Sequence, residues 1–346
     1  MVEFSDGKKK ALGHFSKFEK KFKKNAPCFM SIFDECHKQS IQSHSISVAN
    51  LKLLAENGHL QRLRTPRLHD KSFEIDFEKV GVKNASTFPG FCGDHDAALF
   101  RNIDTSNYRP VGEKITEYMF RALVHEGYAK MYANAMIDSY SIADVKKIAE
   151  LERQDTVEAF ELGYRDLFVQ GNNVYKHLSS SIPQLSYLTI LFDKILPFTF
   201  SGPINLEIKP NFGGQDPTNS TQVFEGIVAS IIPFKEGSAF FLIFPKTQNA
   251  NVMKLLKRFS KSKKYFSNEI LQLGIESFDN IYFSTSWIDG LEDSLKNKLL
   301  TTFKNTLLGM DVLPNTTEFK VFLFGARPTS ITSNSQTVKF WKSRLR

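Results

Sequence analysis

The sequence predicts an α+β protein with an N-terminal zinc-bound, treble-clef-like module, a central helical hairpin and a C-terminal mixed α+β domain. All three cysteines lie in the first hundred residues, which indicates a small metal-held module there. Residues 111–183 have helical apolar spacing with few prolines or glycines, and short strand patterns begin after them. The predicted units are a basic arm (1–26), a zinc-binding module (27–110), the hairpin (111–183) and the α+β domain (184–346).

Length and charge set broad limits on function. A chain of 346 residues can form two or three domains with well-buried cores. Its net charge of +8 is compatible with nucleic acid or with an anionic membrane surface as a partner. The sequence contains no apolar run long enough to span a bilayer and no signal-peptide pattern. We therefore expect a cytoplasmic protein.

The N-terminal arm is the most basic local stretch. Phe15, Phe18 and Phe22 recur at helical spacing, which predicts an amphipathic helix with its charged side chains turned outward. Two interpretations stay open, a phosphate-contacting arm and a solvated terminus. The basic residues are Lys8, Lys9, Lys10, Lys17, Lys20, Lys21, Lys23 and Lys24.

The cysteines and a neighbouring histidine suggest a zinc site. Zinc prefers thiolate and imidazole ligands in a tetrahedron, and Cys92-x2-His95 is one well-spaced pair. Cys28 and Cys36 supply the second pair, although the seven residues between them exceed the usual two to four. An alternative set therefore replaces Cys28 with His44. Both sets share Cys36, Cys92 and His95.

Two other interpretations of the cysteines need no metal. Free cysteines are among the most buried residue types and behave as small hydrophobic side chains. A disulfide between Cys28 and Cys36 is the other possibility, although nothing in the sequence indicates an oxidising compartment.

A family resemblance involves the same region. The stretches that resemble the family motif are Ser43-His44-Ser45-Ile46-Ser47, Asn50-Leu51-Lys52-Leu53-Leu54 and Cys92-x2-His95-Asp96. Together they resemble the His-Asn-His (HNH) nuclease motif on a treble-clef zinc finger. The resemblance implies that His44 is the general base, that Asn50 braces its hairpin, and that Asp96 binds a catalytic Mg²⁺ or Mn²⁺. About forty residues separate Asn50 from the second ligand pair, more than in the family.

Residues 51–82 follow the first cluster. They predict a short helix and a strand on either side of an Asn57-Gly58 turn, and then a half-buried strand over residues 72–82. A second basic stretch lies between the two strands and would line a nucleic-acid groove or face solvent. It contains Arg62, Arg64, Arg67 and Lys71.

Turn-forming residues are frequent over residues 84–110. Asp94, Asp96 and Asp104 bring carboxylates near the second cluster, and a helix is expected to begin near Ala97. The helical hairpin follows, with a second helical segment beginning at Ser141. Such hairpins pack within one chain or mediate contacts with a protein partner or a second copy.

The C-terminal region alternates strand and helix patterns. Strands are predicted at residues 187–192, 198–200, 223–232, 239–244, 281–283 and 319–324. Helices are predicted at residues 251–259, 268–273 and 289–308. The sequence has no phosphate-binding glycine motif and no nucleophile elbow.

Two classes of function follow. The first is a zinc-containing, HNH-like nuclease that cuts DNA or RNA. The second is a non-catalytic, zinc-stabilised module that binds nucleic acid or protein. The overall plan resembles that of bacterial proteins found in defence against phage.

Overall fold

The computed structural model describes residues 17–64, 75–105, 107, 109–110, 115–141, 150–178, 185–206, 221–260, 266–307, 324 and 326–335. Within these ranges the chain is a mixture of helices and antiparallel sheet, which confirms the predicted α+β class. No helix among the described residues is long and apolar enough to cross a membrane.

The helices and strands are numbered in chain order. The helices are α1 (described over residues 17–25), α2 (Val48–Leu54), α3 (Gly93–Phe100), α4 (Ile115–Ser141), α5 (Glu150–Leu178), α6 (Asn249–Ser260), α7 (Phe266–Ser277), α8 (Thr285–Asp289) and α9 (Asp293–Leu307). The strands are β1 (Gln42–His44), β2 (His59–Arg64), β3 (Asp76–Gly81), β4 (Thr87–Pro89), β5 (Leu185–Phe192), β6 (Phe198–Ile204), β7 (Ile227–Phe234), β8 (Gly237–Pro245), β9 (Ile281–Phe283) and β10 (Pro328–Ser333). Short 3-10 turns occur at Phe29–Ile32 and Lys246–Gln248.

An eight-stranded sheet lies at the centre, in the order β10-β5-β8-β7-β6-β9-β2-β3. Every neighbouring pair is antiparallel. The hairpin of β2 and β3 comes from the N-terminal part of the chain, yet β2 pairs with β9 through Gln61 opposite Phe283 and Arg62 opposite Tyr282. The segments 27–110 and 184–346 therefore share one sheet.

The central strands are buried on both faces, and their side chains alternate between two separate cores. On one face, which we call the helical face, Phe240 packs on Phe259 of α6 with ring centroids 6.0 Å apart, and α7 and α9 add to the same core. On the other face, which we call the module face, Phe241 packs on Tyr118 of α4, and their ring centroids are 5.1 Å apart. The helix α4 and the N-terminal module cover this second face.

The central hairpin consists of α4 and α5, which run antiparallel. The ring of Phe120 near the start of α4 lies 5.8 Å, centroid to centroid, from the ring of Tyr175 near the end of α5. Further along the pair, Gly163 of α5 faces the Lys130 side chain of α4. The described α4 extends to Ser141, where the sequence predicted a second segment to begin. A role of this hairpin in binding a partner or a second copy stays a prediction.

The predicted strand 223–232 begins four residues before β7, which spans Ile227–Phe234. The predicted strand 319–324 lies outside the described residues except for Phe324, which is not in a strand. The strand β10 pairs with β5 at the sheet edge and was not predicted. Its sequence PTSITS buries only Ile331, so it lacks the apolar alternation by which strands are recognised.

The predicted helix 289–308 also differs in its start. The described α9 begins at Asp293, and the short helix α8 precedes it, ending at Asp289 with Gly290 as its C-cap. Ser284 begins α8, because its hydroxyl accepts a hydrogen bond from the backbone N–H of Trp287.

Candidate metal centre and the His44 site

The first half of the cluster is a closed loop between Cys28 and Cys36. The backbone N–H of Cys28 donates to the Lys38 carbonyl at 3.0 Å, and Pro27 forms an isolated antiparallel bridge with Gln39. Cys28 immediately precedes the 3-10 turn Phe29–Ile32. This short ladder brings Cys36 back beside Cys28, so the seven intervening residues are accommodated as a loop.

The second half lies at the start of α3. Cys92 is the N-cap residue of this helix and has an extended backbone, while His95 lies in the first turn. The two halves are joined by backbone hydrogen bonds from Phe29 to Gly90 and from Ile41 to Phe91, both 2.7 Å. The helix thus presents two ligands from one turn.

The four side chains meet in one place. The ligand atoms of Cys28, Cys36, Cys92 and His95 all lie within 4.8 Å of one another. His95 Nδ1 is 3.5 Å from Cys28 Sγ and 3.3 Å from Cys92 Sγ. Zinc bonds to nitrogen and sulfur in a tetrahedron correspond to ligand separations of about 3.6 Å. The donor types and separations therefore fit a tetrahedral metal ion.

The ionisation of the thiols depends on their positions. Burial raises the pKa of Cys28 to about 12, because water no longer solvates its thiolate. Burial acts in the same direction at Cys92, but hydrogen bonds from the His95 backbone and interactions with the other two thiols lower the pKa of Cys92 overall. A thiolate is also favoured at the N-terminus of a helix. Cys92 is thus better prepared than Cys28 to bind a cation.

The structure distinguishes among the sequence-based interpretations. All three cysteines are free, so Cys28 and Cys36 do not form a disulfide. All three are also buried, as expected of either unreactive thiols or metal ligands. The fourth member of the cluster is Cys28. His44, which the alternative ligand set contained in its place, lies outside the cluster. The buried Cys3His group can hold a metal ion.

His44 lies at the end of β1, opposite Thr87 of β4. Its Nδ1 is 2.9 Å from the Ala85 carbonyl oxygen. Because a carbonyl oxygen only accepts, Nδ1 carries the proton and Nε2 keeps a lone pair. Partial burial lowers the pKa of His44, while the Ala85 carbonyl opposes that effect. The imidazole is therefore neutral near pH 7.

Asp96 lies in the first turn of α3, one residue after His95. Its Oδ1 is buried and has no hydrogen-bond partner among the described residues. The negative charges of Asp104 and Asp96 act to raise the pKa of His44, and the positive charge of Arg121 acts to lower it. Neither carboxylate outweighs the effect of burial on the pKa of His44.

Asn50 bonds to the central sheet. Its side chain is fully buried in α2, and Nδ2 donates to the Pro233 carbonyl of β7 at 2.7 Å. This hydrogen bond attaches α2 to the sheet. The role of Asn50 as a brace for the His44 hairpin stays a prediction.

A buried arginine near the site was not predicted. Arg121 of α4 makes a bidentate ion pair with Asp104, with N–O distances of 2.7 and 2.8 Å, and its guanidinium lies 4.0 Å from the centre of the Phe100 ring. Its side chain is 1% exposed. A single arginine inside the apolar run Met119-Phe120-Arg121-Ala122-Leu123 was the available sequence signal.

The second basic stretch is partly used inside the fold. Arg62 pairs with Glu78 on the neighbouring strand at 2.8 Å, so it contributes to cross-strand packing. Arg67 and Lys71 lie outside the described residues. Comparisons of the chain with protein-family models, curated proteins and solved structures found no match.

Proposed function

We propose that this protein is a zinc-containing, HNH-like, metal-dependent nuclease that acts on DNA or RNA. In this proposal Cys28, Cys36, Cys92 and His95 hold a structural zinc ion, His44 is the general base, and Asp96 binds a catalytic Mg²⁺ or Mn²⁺. A role in defence against phage rests only on the resemblance of the overall plan.

The arrangement of β1, β4 and α3 is the observation on which the proposal depends. The two strands pair, and α3 follows β4 after only three residues. His44 lies on the first strand and Asp96 on the helix, so a strand pair and a helix present the two candidate groups. The insertion between Asn50 and Cys92 contains β2 and β3, which join the central sheet, so the strand pair tolerates it.

The state of His44 suits proton abstraction. The Ala85 carbonyl fixes the proton on Nδ1 and leaves Nε2 as the acceptor, which a general base requires. Its lowered pKa keeps the ring neutral at physiological pH, so in most protein molecules His44 is able to accept a proton. A general base of this kind accelerates such reactions by roughly 10²–10⁴-fold.

Asp96 suits a hard divalent cation. Carboxylate oxygens are preferred by Mg²⁺ and Mn²⁺, and a buried carboxylate oxygen without a partner is unfavourable unless something binds it. A cation at that position would stabilise negative charge on a phosphate group. Asp96 is the one residue that we assign to this cation.

The helix α1 favours nucleic acid as the substrate class. The rings of Phe18 and Phe22 are partly buried and lie 6.3 and 5.3 Å from the ring of Tyr132, so the apolar side of α1 packs against α4. Exposed lysines occupy the outer side at helical spacing, where they would contact phosphates. These residues are Lys17, Lys20, Lys21 and Lys24.

A non-catalytic, zinc-stabilised binding module is the second candidate. The hydrogen bond from Asn50 to Pro233 favours it, because this hydrogen bond gives Asn50 a structural role that needs no catalysis. Both candidates require the zinc ion, and they differ in whether His44 and Asp96 act on a substrate.

The test is elemental analysis of the purified protein together with cleavage assays in Mg²⁺ and Mn²⁺, on plasmid DNA and on single-stranded RNA. The variants are His44→Ala and Asp96→Asn, and His59→Ala is the matched control. His59 also lies in a strand of the module with Nδ1 2.9 Å from a backbone carbonyl, that of Asn57, but it is exposed.

We expect one equivalent of zinc in all four proteins, and cleavage that falls at least about a hundredfold in His44→Ala but not in His59→Ala. Zinc without cleavage by the wild type would favour the binding module. Absence of zinc from the wild-type protein would remove both candidates.

A further inference from the structure

The module face of the sheet changes from apolar to polar between β8 and β9. The strand β8 contributes Ala239, Phe241 and Ile243 to this face. Towards β9, buried polar side chains take their place, and we call them the polar patch. They are Thr199, Ser201, Ser230, Asn280 and Tyr282. Buried polar groups are unfavourable without hydrogen bonds, so the patch requires partners.

Part of the patch bonds within the sheet. The hydroxyls of Ser201 and Ser230 are 2.8 Å apart, and Thr199 donates to the Ile231 carbonyl at 2.5 Å. Asn280 and Tyr282 instead bond to the module that carries His44. They connect β9 with segments that lie about two hundred residues away in sequence.

Asn280 contacts the residue that follows His44. Its Nδ2 donates to the Ser45 hydroxyl at 2.8 Å and to the Ser201 carbonyl at 3.0 Å. One amide group therefore attaches the end of β1 to β6. Ser45 is 2% exposed, so water does not compete for this contact.

Ser86 is the partner of Tyr282. Its backbone has φ of 56°, in the left-handed region that residues other than glycine seldom adopt. Hydrogen bonds hold it there, because its hydroxyl donates to the Ile46 carbonyl at 2.9 Å and its own carbonyl accepts from the Ser45 N–H at 2.8 Å. The Ser86 N–H donates to the Tyr282 hydroxyl oxygen at 2.6 Å.

The same peptide group connects Tyr282 with His44. The N–H of Ser86 and the carbonyl of Ala85 belong to one planar peptide unit. Tyr282 binds its N–H end at 2.6 Å, and His44 Nδ1 donates to its carbonyl end at 2.9 Å. Any rotation of this unit that releases the tyrosine also moves the acceptor of the imidazole.

We propose that Tyr282 is a positioning residue for His44, acting through the Ala85–Ser86 peptide group. The tyrosine hydroxyl fixes the plane of that peptide, and the peptide carbonyl fixes the ring orientation and the tautomer of His44. The central sheet thereby places the Nε2 lone pair. The catalytic consequence rests on the proposed nuclease function, whereas the orientation of the ring does not.

The variant that tests this is Tyr282→Phe, which removes the acceptor and keeps the ring. Tyr128→Phe is the matched control, because Tyr128 is buried in the same core, its ring lies 6.2 Å from that of Phe88 on β4, and its hydroxyl has no hydrogen-bond partner among the described residues. Both are made in the full, metal-loaded chain, and equal zinc content checks the fold.

The first readout is NMR of the ring nitrogens of His44, assigned by comparison with His44→Ala. We expect the wild type and Tyr128→Phe to show the tautomer with the proton on Nδ1, and Tyr282→Phe to show a mixture. The second readout is amide hydrogen exchange at Ser86. It should be slow in the wild type and in Tyr128→Phe, and at least about tenfold faster in Tyr282→Phe.

The third readout is cleavage. A misplaced base lowers kcat with little effect on KM, and we expect kcat of Tyr282→Phe to fall by roughly tenfold to a hundredfold. Unchanged ring signals and unchanged Ser86 exchange in Tyr282→Phe would overturn the proposal, as would rapid exchange of Ser86 in the wild type. Altered ring signals in a protein that cleaves nothing would support the positioning role and reject the nuclease function, so the two failures are distinguishable.

Discussion

The two faces of the central sheet are stabilised in different ways. On the helical face, apolar side chains such as Phe240 and Phe200 meet α6 and α7 in an extended hydrophobic core. On the module face polar side chains interrupt the apolar surface near β9, and Asn280 and Tyr282 form directional hydrogen bonds to Ser45 and Ser86, which flank the strand pair that carries His44. Hydrophobic burial is non-directional, whereas a hydrogen bond fixes distance and angle. Both faces therefore bury apolar side chains, and the module face adds hydrogen bonds that, in our proposal, set the position of His44.

The largest expected effect is loss of the metal from the Cys3His cluster, which lies in the N-terminal module that covers the module face. In His95→Ala we expect zinc content to fall from about one equivalent to well under half, because a structural site needs all four ligands. Since structural zinc contributes folding free energy, amide exchange should accelerate in residues 26–44 and 87–100 and stay slow in α6 and α7. Elemental analysis and hydrogen-exchange mass spectrometry measure both.

The matched control for this change is His37→Ala. His37 is adjacent to Cys36 in sequence but is exposed and lies outside the cluster, so zinc should be retained. Zinc retention by His95→Ala, or zinc loss from His37→Ala, would contradict the assigned ligand set.

The second prediction compares neighbouring residues on β8. Phe240 and Phe241 are both fully buried and point to opposite faces. Truncation of either to alanine should lower the free energy of unfolding by about 3–5 kcal/mol through lost burial and a residual cavity. Phe241→Ala also removes the contact with Tyr118, so it should accelerate amide exchange in α4, whereas Phe240→Ala should not.

Urea denaturation gives the two free energies, and hydrogen exchange gives the local effect. The prediction would be contradicted if Phe240→Ala released zinc, or if it accelerated amide exchange in α4 as much as Phe241→Ala does.

The smallest expected effect concerns the surface ion pair beside the cluster. Lys38 bonds to Asp94, and this contact lowers the pKa of Asp94 below its ordinary value. In Lys38→Ala that pKa should rise towards the ordinary value, as NMR titration of the carboxyl carbon would show. Both side chains are largely exposed, so stability and zinc content should be unchanged.

The sign of the pH dependence follows from the direction of the shift. Because the folded pKa of Asp94 is lowered, its small contribution is present above the ordinary aspartate pKa and is lost as the pH falls through the lower, folded value. Lys23→Ala removes a different exposed pair, with Glu19, and should leave the titration of Asp94 unchanged.

Different parts of the molecule were predictable to different degrees. The α+β class and most helices and strands followed from apolar periodicity, which is a local property. The residue types Cys28, Cys36, Cys92 and His95 indicated a metal site because few other roles use three thiols and an imidazole. The choice between Cys28 and His44 as the fourth ligand was not predictable, since it depends on the backbone ladder that closes the loop at Lys38.

The sequence by itself determined which chemical groups were available and which segments were helical or extended, because both depend on residues close together in the chain. The tertiary structure decided where those groups lie. The pairing of β2 with β9, the contact of Asn50 with Pro233 and the contact of Tyr282 with Ser86 join residues about 180 to 220 positions apart. Such contacts leave no periodic signal, because they form only when distant elements are packed against one sheet.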